Sequence, residues 1–386
     1  MSLTMKACFY IFMINATFSF LICNAGINNA SLKLFKNCKF NKIFQFGDSL
    51  SDTGNIAIQA PNEISSRKPY GSMYTYSKPT GRCSNGLLMI DYIAKAAGLS
   101  YLHPYMMKNG HFKHGINFAV ASSTAMSTED LAKRNVSVNS KTSNSSLQVQ
   151  VDWMAQFLAS YCKFGPDCEN KLKNALFMMG ETGGNDINAA IIDKKSDEEI
   201  KTLFPEIVET IMNATRRIIK FGARKIVIPG NIPIGCLPVL LAMYETENSA
   251  HDKNHCLRRL NYLAVQYNKL LKIETQKLSI ENPSIKIVYG DLYNAFEWIL
   301  SHAPLLGFDR SLLLKACCGA GGKFNVGASN KFCGSKGIPV CSNPNEHVNW
   351  DGIHPTQQAN KYLSIWLISD ILPMLDCPQR LTIKLL

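Results

Sequence analysis

The run Lys42-Ile43-Phe44-Gln45-Phe46-Gly47-Asp48-Ser49-Leu50, continued by Ser51-Asp52-Thr53-Gly54-Asn55, decides the fold. It opens with a nearly continuous apolar stretch closed by glycine, the pattern of a short strand buried on both faces of a parallel sheet. Four later runs repeat it: Gly115 to Val120 (GINFAV), Ala175 to Gly180 (ALFMMG), Lys225 to Gly230 (KIVIPG) and Ile285 to Gly290 (IKIVYG). Helical periodicity fills the intervals: Leu87 to Ala97, Leu147 to Tyr161, Asp197 to Phe221 with Pro205 as a kink or start, His251 to Glu281, and Thr356 to Leu372 after the last strand. Strand and helix alternate, so the chain reads as an α/β doubly wound fold, in which sites gather where strands end at their carboxyl edge. Ser49 stands at such an edge.

Four stretches at these edges carry candidate chemistry. Ser49, after Gly47 and Asp48, is placed as a nucleophile, although Gly, Asp and Ser also suit a plain strand-to-turn connection. Near the other end, Trp350-Asp351-Gly352-Ile353-His354-Pro355 sets an acid three residues before a histidine. One turn can then hold Asp351 against His354, fixing the tautomer and stabilising the imidazolium formed when His354 takes a serine proton. The bland alternative is a helix-entry turn with a capping Asp. In Gly180-Glu181-Thr182-Gly183-Gly184-Asn185-Asp186 the Asn185 amide is a neutral donor for an oxyanion, and the competing reading is a glycine turn with Asn185 in a left-handed conformation. The stretch Ala119 to Thr124 offers a backbone N–H to the same oxyanion. Asp52 and Asn55 read as turn and packing residues that position the nucleophile.

Together, in this order, the blocks IFQFGDSLSDTGN, KPYGSMYTYSKPTGRCSNGLLMIDYIA, GINFAVASSTAM, MGETGGNDIN, IVIPGNIPIGCLP, ACCGAGGKFN and VNWDGIHPT resemble the plant GDSL esterase/lipases, a branch of the SGNH hydrolases, over nearly the whole chain. The wording around Ser49 and Gly115 is similar to the branch that holds sinapine esterase and acetylajmalan esterase. The resemblance implies a flavodoxin-like three-layer α/β/α sandwich with a five-stranded parallel sheet. It also implies Ser49 as nucleophile, His354 as base then acid, Asp351 as its orienting partner, and an oxyanion hole of the Ser49 N–H, the Ser122 N–H and Asn185, with no cofactor. One position departs from the pattern: where the family usually has glycine, this chain has Ser122, and a positive φ there would cost a serine about 1–2 kcal/mol.

The implied activity is carboxylic ester hydrolysis through an acyl-enzyme, on a small-molecule ester, with a short acetyl-type acyl group on a small plant metabolite as the expected substrate. Competing readings are an acyltransferase using the same acyl-enzyme, a lipase, a cell-wall polysaccharide deacylase, and a catalytically silent binding protein. Other chemistries lack their residues. There is no G-x-S-x-G or H-E-x-x-H, the His103, His111, His114 group has no acid or cysteine beside it in sequence, and no metal site is expected.

Composition sets the compartment and partners. The formal charge is +12, but beyond pairs such as Arg216-Arg217 and Arg258-Arg259 the basic residues are scattered, so no nucleic-acid partner is expected. Lys6 followed by apolar residues from Ala7 to Cys23, with small residues at Cys23 and Ala25, reads as a secretory leader over 1–25, leaving one hydrolase domain over 26–386. No later run approaches the roughly 20 apolar residues of a membrane span, so no stable membrane insertion is expected, and the product is taken as a monomer of the apoplast or vacuole. Thirteen cysteines are encoded. Beyond the leader their number is odd, so at least one thiol stays free or intermolecular, while Cys162 with Cys168 and Cys236 with Cys256 are plausible local bridges. Asn29, Asn135, Asn144 and Asn213 lie in glycosylation sequons. The polar segment Ser127 to Ser146 reads as an exposed excursion, and Cys317 to Asn349 as a disulfide-stapled loop.

Overall fold

The computed structural model describes residues 31–73, 80–138, 144–327 and 331–378. The expected leader and Asn29 lie outside them. Five strands form one sheet: β1 (Lys42–Phe46), β2 (Gly115–Asn117), β3 (Ala175–Met179), β4 (Lys225–Pro229) and β5 (Lys286–Gly290). All neighbours run parallel, in the order β2-β1-β3-β4-β5. β3 is buried at every position, as a central strand covered on both faces must be. Phe44 of β1 stacks on Phe177 of β3 with ring centroids 5.1 Å apart, and Phe46 on Phe118 at 5.1 Å.

The longer helices are α1 (Met89–Ala96), α2 (Leu147–Tyr161), α3 (Gly184–Ile192), α4 (Asp197–Phe221), α5 (Arg258–Glu281), α6 (Leu292–Ser301) and α7 (Gln357–Ile371). α2, α4 and α5 pack together as one layer, and α1, α6 and α7 as the other. This is the expected three-layer α/β/α sandwich. α4 begins on a reciprocal cap between Ser196 and Glu199 and stops at Gly222 in a left-handed conformation, both strong local boundary signals. It runs on through Pro205, where the sequence suggested a kink or start. α5 is shorter than the periodicity implied. His251 instead bridges Leu257, and the intervening turn is tied by the Cys236–Cys256 disulfide. The excursion after Ser127 holds a short helix, Thr128–Lys133, capped by the Ser127 hydroxyl.

Five disulfides join Cys38 to Cys377, Cys162 to Cys168, Cys236 to Cys256, Cys317 to Cys341 and Cys318 to Cys333. Cys83 is left as a buried thiol. Among the described residues no helix is long and apolar enough to cross a membrane.

Candidate active site

The strand order reverses direction at β1, between β2 and β3, which is where a doubly wound sheet opens a crevice at its carboxyl edge. Ser49 is three residues beyond β1 and 9% exposed. Gly47 makes the exit possible: its φ is +138°, and a Cβ there would meet the Glu181 carbonyl oxygen at 2.6 Å. The turn is pinned by side chains. The Asp48 carboxylate accepts from the Leu50 N–H, and Asp52 accepts from the N–H groups of Gly54, Asn55, Ile56 and Ala121. Asn55 donates to the carbonyls of Asn117 and Ala119. The nucleophile turn and the stretch after β2 are thus bolted to each other by the two residues that the sequence marked as positioning groups.

The chain's other end completes the constellation. His354 Nε2 lies 2.8 Å from the Ser49 Oγ, and His354 Nδ1 lies 2.8 Å from Asp351 Oδ2. Asp351 also accepts from the backbone N–H groups of Ile353 and His354 at 2.8 Å each, so the three-residue spacing folds the turn about the carboxylate. A further donor reaches the same oxygen as the imidazole: the Tyr70 hydroxyl, buried edge-on to Trp350, donates to Asp351 Oδ2 at 2.7 Å. Tyr70 sits in a quoted block, but nothing in its spacing marked it. Its partner lies 281 positions away.

Burial and charge compete at this relay. Burial pushes the Asp351 carboxyl up, but His354, the backbone donors and Tyr70 bring it below the usual value. Burial pushes the His354 imidazolium down, and the facing Asp351 with the more distant Asp48 raises it above the usual value. With Nδ1 paired to a carboxylate, Nε2 is free to exchange a proton with Ser49.

Beneath Ser49 a second pair of acids is buried. Asp48 and Glu181 face each other there, and burial raises both carboxyls above their usual values. The glycine run after β3 is the start of α3: Gly183 is the left-handed residue, where a Cβ would run into Tyr267, and Asn185 lies in the first helical turn. Its Nδ2 donates to the Ser123 carbonyl at 2.8 Å and to Asp48 Oδ2 at 3.2 Å. Ser122 has φ +68° and is exposed, so the position does ask for the left-handed backbone that the family's glycine would provide. Gln150, from α2, was not legible in sequence. Its amide accepts from the Gly47 N–H at 2.9 Å and donates to the Gly47 carbonyl at 2.8 Å.

A cavity of about 240 Å³ opens over the relay, lined by Ser49, Ser122, Asn185 and His354 and walled by Ile64, Phe332 and the Cys318–Cys333 bridge. The sites proposed for glycans are exposed at Asn135, Asn144 and Asn213.

Comparison with known proteins gives the family. The sequence profile of the GDSL-like lipases/acylhydrolases matches residues 43–367. Acetylajmalan esterase 1 of Rauvolfia serpentina is 43% identical over 343 residues, covering 88% of this chain and 89% of that protein. Acetylajmalan esterase of the same plant is 40% identical over 369 residues, 95% and 92% of the two chains. A GDSL esterase/lipase of Arabidopsis thaliana is 39% identical over 365 residues, 91% and 95%. With the profile running from β1 into α7, the chain belongs to the GDSL-like lipase/acylhydrolase family and is a carboxylic ester hydrolase.

Proposed function

We propose that the protein hydrolyses esters through a Ser49 acyl-enzyme, removing a short, acetyl-type group from a small plant metabolite. The observation that carries this reading is the unbroken relay from Ser49 Oγ through His354 to Asp351, with both contacts at 2.8 Å. Ser49 attacks the ester carbonyl as His354 takes its proton. The negative oxygen is received by the N–H groups of Ser49 and Ser122 and by the Asn185 amide, which exchanges its bond to Asp48 for one to the oxyanion. His354 then hands the proton to the departing alcohol, and water, activated by the same imidazole, releases the acid. The names of the Rauvolfia relatives support an acetyl ester as substrate. Five disulfides and exposed sequons support passage through the secretory pathway to the apoplast or vacuole.

The test is labelling by a serine-directed organophosphonate, read by intact mass, with p-nitrophenyl acetate hydrolysis alongside. Wild type is expected to take one label and to hydrolyse the ester, and Ser49→Ala to do neither. An unlabelled, well-folded wild type would favour a silent binding protein instead.

A further inference from the structure

A second, smaller cavity adjoins Ser49. Its volume is about 30 Å³, above the roughly 10–15 Å³ that a cavity needs to hold a water molecule. It shares Ser49, Asn185 and Ile353 with the larger cavity but is not lined by His354. That difference assigns the two spaces. In the acyl-enzyme reading His354 must reach the leaving oxygen, so the alcohol lies on the His354 side and the acyl substituent points away from it, into the small cavity.

The walls of this space are unusual for an acyl pocket. Asn231 is 2% exposed, and neither its Nδ2 nor its Oδ1 is bonded by any described residue. The Oδ1 of Asn188, on the same cavity, is also buried and unpartnered. Asn231 is held from behind through its backbone alone: its N–H donates to the Asn268 side chain at 2.8 Å, and its carbonyl accepts from the same amide at 2.8 Å. The backbone is therefore fixed, while the side-chain NH2 group and carbonyl oxygen are both left unspent. Native proteins seldom leave buried amides so, and a polar space of this size with two to four polar partners is where a water molecule is retained.

We propose that this cavity is the acyl subsite, that it takes one water molecule held by Asn231 and Asn188, and that Asn231 thereby limits the acyl chain to acetyl. The proposal rests on the acyl-enzyme reading above. The methyl of an acetyl group stops at the mouth of the cavity, against the water, and needs no displacement. A longer chain must expel that water and lie against Asn231 and Asn188, leaving a buried donor and two acceptors unpaired, a loss on the order of tenfold or more in kcat/KM.

The experiment compares kcat/KM for p-nitrophenyl acetate and p-nitrophenyl butyrate in wild type and in Asn231→Leu, each normalised by phosphonate titration of Ser49. Wild type is expected to prefer acetate by about tenfold or more, and Asn231→Leu to move the ratio toward butyrate by about fivefold or more, through a rise in the butyrate value. A wild type without acetate preference, or an unchanged ratio in the titrated variant, overturns the proposal. Should Asn231→Leu not fold, Asn188→Leu decides, with a shift in the same direction expected and a fixed ratio overturning it. Wild type that takes no phosphonate and cleaves neither ester refutes the acyl-enzyme reading itself, whereas labelled, active enzyme with the wrong ratio refutes only the subsite.

Discussion

Tyr70 shows how one hydroxyl can tune a relay it never enters. By donating to Asp351 Oδ2 it withdraws negative charge from the oxygen that faces His354. Removing it leaves a more basic carboxylate, which holds the imidazolium more firmly. With His354 raised by Asp351, the wild-type acidic limb of kcat/KM is expected above the usual histidine value of about 6.5, and Tyr70→Phe should move it to higher pH and lower the plateau severalfold. A limb that stays put would make Tyr70 a packing residue. Ser122 carries the opposite kind of lesson. Its φ of +68° costs a serine about 1–2 kcal/mol, so Ser122→Gly should raise stability by about 1 kcal/mol in denaturant titration without loss of activity. Destabilisation by that change would mean the serine side chain supports the loop. The three residues of the relay were legible because their spacing is local or falls at a strand end. Tyr70, Glu181 and Gln150 were not, because each acts on a partner brought near only by the fold.

At the level of elements, the strands were readable because burial on both faces leaves few residues other than apolar ones between the turns. All five lie within the runs marked in sequence, β2 ending early at Asn117. Helices read well where periodicity met a cap, as at Asp197–Phe221 between Ser196 and Gly222 and at Gln357–Ile371 with Thr356 as its N-cap. They were missed where the element was short or its start lay in glycines. α3 starts inside a glycine run, and α6 spans only Leu292–Ser301, directly after β5 and its Asp291 cap. The error at α3 matters to function, because a helix start, and not a loose turn, aims Asn185 toward Ser49. α5 was overextended at its start because His251 to Leu257 is polar and periodic enough to pass for helix, while a disulfide and a bridge hold it otherwise.

For the molecule as a whole, the site is an electrostatic burden. Burial raises Asp52 and Asp186 to about 6 and Glu181 well above its usual value. A carboxyl group with a raised folded pKa binds a proton where the unfolded chain has lost it, so its stabilising effect is fullest at low pH and fades as pH rises through the folded value. His354, also raised, contributes below its unfolded value and loses that contribution as pH rises further. These groups act in one direction between pH 5.5 and 7.5, and Tm should be higher at pH 5.5, where activity is lower. Glu181→Gln should narrow the difference in Tm, and a difference that is flat, reversed or unaffected by the substitution would contradict this account.

The paired cysteines near the site extend the same point to redox conditions. Cys317 and Cys318 are bound to Cys341 and Cys333, and their backbone N–H groups donate to the carbonyls of Asn349 and Trp350, the residues just before Asp351. The wall of the larger cavity and the turn that carries the acid and the histidine are thus clamped by the same two oxidations. Opening those two bonds would release the wall and the turn together, so the assembled relay should be more sensitive to reducing agents than the sheet that carries it.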